Sequence, residues 1–152
     1  MPANDVSDPE ISVLQGLLEE YRGQYNIADG KLDRTKVEHL YKRDADFTAF
    51  DIAPPLGGYI GWDVYAAAWY KVLNKYSQIN FTFRDDVRIF REGDVAWMSF
   101  SPDWFGKSAA GDDFHKEMRM TLVWVRKDGQ WQITHEHGSS PRETTLAGGE
   151  VV

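Results

Sequence analysis

The stretch that most constrains this chain is HKEMRMTLVWVRKDGQWQITHEHGSSP, from His115 to Pro141. Two runs rich in Val, Ile, Thr and Trp flank Lys127-Asp128-Gly129, a tripeptide suited to a type I turn followed by a left-handed glycine, so the segment predicts a long β-hairpin. With a three-residue loop Arg126 pairs with Gln130. Period-two alternation then places Met118, Met120, Leu122 and Trp124 on one face with Gln132, Thr134, Glu136 and Gly138. The opposite face holds Arg119, Thr121, Val123 and Val125 with Trp131, Ile133, His135, His137 and Ser139. A two-residue Asp128-Gly129 loop would shift this pairing. Both faces are partly apolar, so both are expected to be covered.

Upstream the chain reads as helices and then strands. Ser7-Asp8-Pro9-Glu10 has the form of a capping box with Ser7 as the cap, and Ile11, Leu14, Leu18, Tyr21 and Tyr25 follow at helical spacing until Asp29-Gly30. Asp33 caps a second, short helix that carries Val37, Leu40 and Tyr41 inward. ADFTAFDIAPP is strand-like, stops at Pro54-Pro55 and gives way to a Gly57-Gly58 loop. A third helix is predicted from about Gly61 to Tyr76, with Trp62, Tyr65, Ala66, Trp69, Val72, Leu73 and Tyr76 close to one face. From Ile79 the chain reads as strands joined by Glu92-Gly93-Asp94 and by a loop near residues 106–113. Three N-terminal helices followed by a meander imply an α+β domain, a curved antiparallel sheet with helices packed on one face.

The 152 residues suffice for one domain, expected over 7–141 with loose ends at 1–6 and 142–152. A net charge of −7 argues against nucleic acid and anionic membranes as partners, and no apolar run is long enough to span a bilayer. The absence of Cys removes disulfides and thiol chemistry and fits a reducing cytoplasm. Six Trp are many for this length and point to a deep pocket or a broad interface as well as a core.

The order of elements, the FD-x-A-P-P segment and the closing R-x-T and W-x-I-x-H-x-H-x-S patterns resemble the nuclear transport factor two-like superfamily, over roughly residues 10 to 141. Within it the sequence looks most similar to the SnoaL-like and ketosteroid isomerase-like branch, and WQITHEHGSS is similar to the calcium/calmodulin-dependent kinase association domain. The resemblance implies a cone (cystatin-like) whose concave sheet lines a pocket for a small apolar organic ligand. It is compatible with cofactor-free isomerases, dehydratases and cyclases, and equally with non-catalytic binding or assembly modules.

Carried over residue by residue, the isomerase pattern lands its base on Asp51 and its first-helix oxyanion donor on Tyr21 in EEYRGQYN. The plainer reading has Asp51 capping the Pro54-Pro55 turn and Tyr21 packed as core. The pattern's second, acidic donor falls near Met120 to Leu122, where no Asp or Glu stands. Glu136 is a further candidate acid or base, sharing its face with the expected ligand contacts Met120, Leu122 and Trp124. Trp62, Tyr65 and Trp69 are candidate ligand contacts from the third helix, although their spacing also suits core. Trp62 and Tyr59 are candidate lid residues. His137 is a candidate ligand contact, but the register turns both it and His135 to the far face. Those two histidines share a strand face, yet lack a third ligand at metal-site spacing, so no metal and no cofactor are expected and a hydrogen-bonded ladder is preferred. A homodimer through the sheet is the expected assembly.

Overall fold

The computed structural model describes residues 3–28 and 33–142. The fold is α+β, and among the described residues the order is α1 (Pro9–Gln24), α2 (Arg34–Glu38), β1 (Thr48–Phe50), β2 (Tyr59–Ile60), α3 (Trp62–Leu73), β3 (Tyr76–Phe83), β4 (Arg88–Glu92), β5 (Val95–Phe100), β6 (Pro102–Ser108), β7 (Asp113–Glu117), β8 (Arg119–Lys127) and β9 (Gln130–Ser139). The strands form a six-stranded sheet, β2-β1-β9-β8-β5-β4, and a three-stranded sheet, β3-β6-β7. No described helix is long and apolar enough to cross a membrane.

Three departures from the sequence reading matter. The expected meander is broken, because β3 pairs with β6 rather than with its neighbour β4. The sheet is mixed, because β1 runs parallel to β9 with Ala49 beside Glu136. The third helix follows the β1–β2 hairpin and ends at Leu73, and Tyr76 begins β3 instead of closing the helix.

The β8–β9 hairpin forms, but with a two-residue turn. Lys127 pairs with Gln130, and Asp128 (φ 52°) and Gly129 (φ 79°) are both left-handed, as a type I′ turn demands. Near the turn Trp124 therefore opposes Ile133, and both are fully buried, so Trp131 and Ile133 lie on the core face and not on the outer one. A bulge between Val123 and Trp124 then inserts one residue of β9. Past it Leu122 faces Glu136 and Met120 faces Gly138, which restores the parity expected for Glu136.

Helix α1 is capped by Asp8, whose carboxylate accepts from the Glu10 N–H at 3.0 Å, while Ser7 donates to Asp5 instead. Its apolar stripe of Ile11, Leu14, Leu18, Tyr21 and Tyr25 is buried throughout. The start of the helix is fixed to the sheet by Trp131 donating to Glu10 (2.7 Å) and by the Arg91–Asp8 pair (2.6 Å). Asn4, expected in a loose terminus, exchanges hydrogen bonds with the Ile89 backbone on β4. The Asp29-Gly30 helix stop and the tail from 143 lie outside the described residues.

Asp33 caps α2 as expected. The chain after it docks on β9: Ile133 N–H donates to the Leu40 carbonyl, and Lys42 N–H to that of Ile133. Tyr41 is thereby held beside the strand that carries Glu136. Gly58 (φ 67°) is required by its close approach, since a Cβ there would run into the Ala49 carbonyl and the Phe50 ring.

Candidate functional site

Glu136 projects from β9 into the interior, where a bare carboxylate would be costly. Three phenols from three parts of the chain converge on it. Tyr21 of α1 donates to Oε2 at 2.9 Å, Tyr41 to the same oxygen at 2.8 Å, and Tyr65 of α3 to Oε1 at 2.7 Å. Tyr25, one turn after Tyr21, meets the Tyr41 hydroxyl at 2.8 Å. Because the Tyr41 proton points to Glu136, Tyr25 is the donor in that contact, and the chain runs from Tyr25 to Tyr41 to the carboxylate. Burial pushes the Glu136 carboxyl above its ordinary range, partly offset by the three phenolic bonds. The four phenols are themselves pushed well above the usual tyrosine value, first by burial and then by the Glu136 charge.

A cavity of about 50 Å³ lies against this cluster, lined by Tyr21, Tyr25, Asp51, Tyr65, Trp69, Leu73, Phe81, Trp104, Met118, Met120 and Glu136. That is room for roughly one or two water molecules. Asp51 follows β1 and stands at the border of the cavity, for it also lines an outer groove of about 550 Å³ with Lys116, His137, Ser139 and Arg142. Its Oδ1 accepts from the Ile52 N–H at 2.6 Å. Burial raises its carboxyl, opposed by backbone bonds from Ile52 and Ala53 and by the Lys116 charge.

The structure thus brings Asp51, Tyr21, Glu136, Tyr65, Trp69 and Met120 to one cavity. It separates the other candidates from it. Leu122 and Trp124 are fully buried in the sheet core and do not reach the cavity wall. Trp62 is buried against Tyr41 (centroids 4.9 Å) and Phe47 (5.6 Å), a core position rather than a lid. Tyr59 donates to the Pro54 carbonyl and packs its ring on Tyr65. His137 is exposed on the opposite side of β9 and borders outer grooves rather than the cavity, because it alternates with Glu136. His135, on that same far side, contacts Thr48 Oγ1 through Nδ1 at 2.7 Å, and burial lowers its pKa. Phe50 lies edge-on to both histidines.

Two features of the site were absent from the sequence reading. Tyr41 was read only as an inward residue, and its place on Glu136 depends on the docking of residues 40–42 against β9. Trp104 was not singled out, since β6 carries no motif, and Met118, between β7 and β8, was placed on the face of Glu136 but not named as a ligand contact. Among the described residues, three buried side chains lack a partner for polar atoms, namely Gln24, Trp104 and Trp124, and of these Trp104 alone lines the cavity.

The sequence model of the SnoaL-like domain matches residues 23–143. No curated protein sequence matches. Among solved structures, a nuclear transport factor 2-like superfamily protein from Salmonella enterica serovar Typhimurium is 23% identical with a TM-score of 0.72, over 91% of this chain and 98% of that one. A hexachlorocyclohexane dehydrochlorinase from Novosphingobium barchaimii is 15% identical with a TM-score of 0.70, over 91% of each chain. The CaMKII association domain of Caenorhabditis elegans is 18% identical with a TM-score of 0.55, over 86% of this chain and 92% of that one. These likenesses establish the fold.

Proposed function

The chain belongs to the SnoaL-like domain family, and from that premise we propose that it binds a small apolar organic molecule in its aromatic cavity and carries out cofactor-free proton transfer on it, as an isomerase, dehydratase or cyclase, with Asp51 as the base. The observation that carries this reading is the position of Asp51. It is a partly buried carboxylate on the wall of the interior cavity that also faces the outer groove, and no side-chain hydrogen bond occupies it among the described residues. A carboxylate disfavoured in its ionised form by burial is a stronger base toward a C–H proton than one in water. Asp51 removes a proton from carbon next to a carbonyl, the electron pair moves onto oxygen, and the enolate is reprotonated or expels a leaving group.

Tyr21 has a different part from the one expected of it. Its hydroxyl hydrogen is already given to Glu136, so Tyr21 and Glu136 together form the polar floor of the site. Room for a ligand larger than water comes from Met118 and Met120, whose flexible thioethers form part of the wall above Gly138. The removal of hydrogen chloride named for the dehydrochlorinase likeness would suit the same base.

The test is deuterium incorporation next to the carbonyl of small cyclic ketones in D₂O, followed by proton NMR. The wild type should accelerate exchange, and Asp51→Asn should slow it on the order of a hundred- to ten-thousandfold. Equal rates for the two proteins would remove Asp51 from the mechanism.

A second reading, a non-catalytic binding or assembly module, is favoured by the small size of the cavity and by the likeness to the CaMKII association domain. On either reading the protein pairs as a homodimer through the outer face of the six-stranded sheet. Phe50, Trp97 and Val95 are exposed there, and Phe90 stacks on Trp97 with centroids 5.2 Å apart.

A further inference from the structure

We propose that Lys116 is an anion-binding residue at the mouth of the site, and that the substrate is a keto acid, whose carboxylate is held by the Lys116 ammonium in the outer groove while its carbonyl end reaches toward the cavity past Asp51. This deepens the proton-transfer reading and rests on it for the location of the ligand.

The position of Lys116 follows from strand register. Phe81 of β3 pairs with Trp104 of β6, and Trp104 with Lys116 of β7, so the three share one face of the small sheet. Phe81 and Trp104 are buried and line the cavity, as does Met118, two residues beyond Lys116. Lys116 is thus a half-buried charge that ends an apolar row on the edge strand. Its ammonium lies 5.2 Å from the centre of the Trp104 ring, a cation–π contact that keeps the head at the rim of the cavity. The same residue lines the groove of about 550 Å³ with Asp51, His137, Ser139 and Arg142. Its charge acts on the Asp51 carboxyl, opposing the effect of burial.

The two faces of the small sheet treat charge differently. On the outer face Asp103 takes Arg84 and His115, Glu117 also takes Arg84, and Lys107 pairs with Asp113. On the inner face Lys116 has the Trp104 ring and, among the described residues, no ion-pair partner. The residues lining the groove set two cations, Lys116 and Arg142, against one carboxylate, Asp51. That surplus matches a singly charged carboxylate better than a dianionic phosphate. Size points the same way: a cavity of about 50 Å³ leaves most of an organic ligand in the groove, where Lys116 meets it. An ammonium–carboxylate hydrogen bond is among the stronger ones, and it would fix the substrate at one end while a C–H is presented to the base. The incoming negative charge further disfavours ionised Asp51, which strengthens it as a base.

The experiment compares levulinate, a keto acid, with its neutral methyl ester by chemical-shift titration of ¹⁵N-labelled protein at pH 7. The wild type should bind levulinate about tenfold more tightly than the ester. Lys116→Met removes the charge and keeps an unbranched stem, so it should erase the preference by weakening levulinate alone, and Lys116→Arg should retain it. Equal affinity of the wild type for the two probes, a preference undiminished in Lys116→Met, or no binding of levulinate would each overturn the assignment. The wild-type comparison is decisive even if a variant folds poorly. Should levulinate binding depend on Lys116 while Asp51→Asn still exchanges deuterium at the wild-type rate, the anion site stands and the base falls. If exchange collapses in Asp51→Asn but the two probes bind alike, Lys116 is removed and Asp51 is kept.

Discussion

The two carboxylates on the cavity wall show how differently one chemical group can be used a short distance apart. Burial raises both. Glu136 is surrounded by neutral donors delivered by α1, α3 and the segment after α2, and every one of them is a side chain that can point nowhere else without losing its partner. Asp51 is held by backbone amides of the next residues and stays open to a cavity on one side and a groove on the other. Saturation by tyrosines makes Glu136 a fastener between helices and sheet. The lack of side-chain partners makes Asp51 available for chemistry. A raised carboxyl therefore marks both, and only the pattern of partners separates the one saturated by side chains from the one left open.

Substitution should split the two roles cleanly. Glu136→Leu leaves Tyr21, Tyr41 and Tyr65 as buried hydroxyls without an acceptor, and a loss of about 3 kcal/mol or more is expected from urea unfolding. Asp51→Asn removes a desolvated charge and retains a side chain of the same shape, so its unfolding midpoint should stay within about 0.5 kcal/mol of wild type even as exchange activity collapses. If Asp51→Asn unfolded the protein as readily as Glu136→Leu, the two carboxylates would share one structural role. A finer cut comes from the phenols. Tyr41→Phe deprives both Glu136 and Tyr25 of a partner, whereas Tyr65→Phe deprives Glu136 alone. The first should be the more destabilising, by about 1 kcal/mol, and equal midpoints would show that the Tyr25 link contributes nothing.

The sequence revealed half of this arrangement. The apolar stripe of α1 delivered Tyr21 and Tyr25 to the interior as periodicity required, and the parity of β9 turned Glu136 inward. That parity came out right through two offsetting departures. The turn is one residue shorter than expected, and the bulge near Thr134 gives the residue back, so Trp131 and Ile133 were misplaced while Glu136 was not. Thr134 is as suited to a regular strand as to a bulge, and no local signal distinguishes the two. The phenol cluster was illegible for another reason: Tyr21 and Glu136 are 115 residues apart, and the contact exists only once α1 lies across the sheet. Trp104 was missed because an orphaned donor is a property of its surroundings, not of its residue type.

The smallest effect is the dependence of stability on pH, and it tests the Glu136 side of the contrast directly. An unfolded glutamate loses its proton near its ordinary value of 4.5, whereas the folded carboxyl holds it to higher pH. Below 4.5 both states are protonated, and the stability associated with this group is fully present. As pH rises through the folded value the unfolded chain has already released its proton, and that stability is lost. The half-buried Asp103 behaves in the opposite sense: Arg84 and His115 lower it to about 2, so its contribution is present above 3.8 and fades only as pH falls toward 2. The difference in unfolding midpoint between wild type and Glu136→Gln, measured from pH 4 to 8, should therefore shift against the wild type as pH increases, with no matching change on the acid side. Parallel curves would mean that the three phenols compensate burial completely and that Glu136 is an ordinary carboxylate in an unusual place.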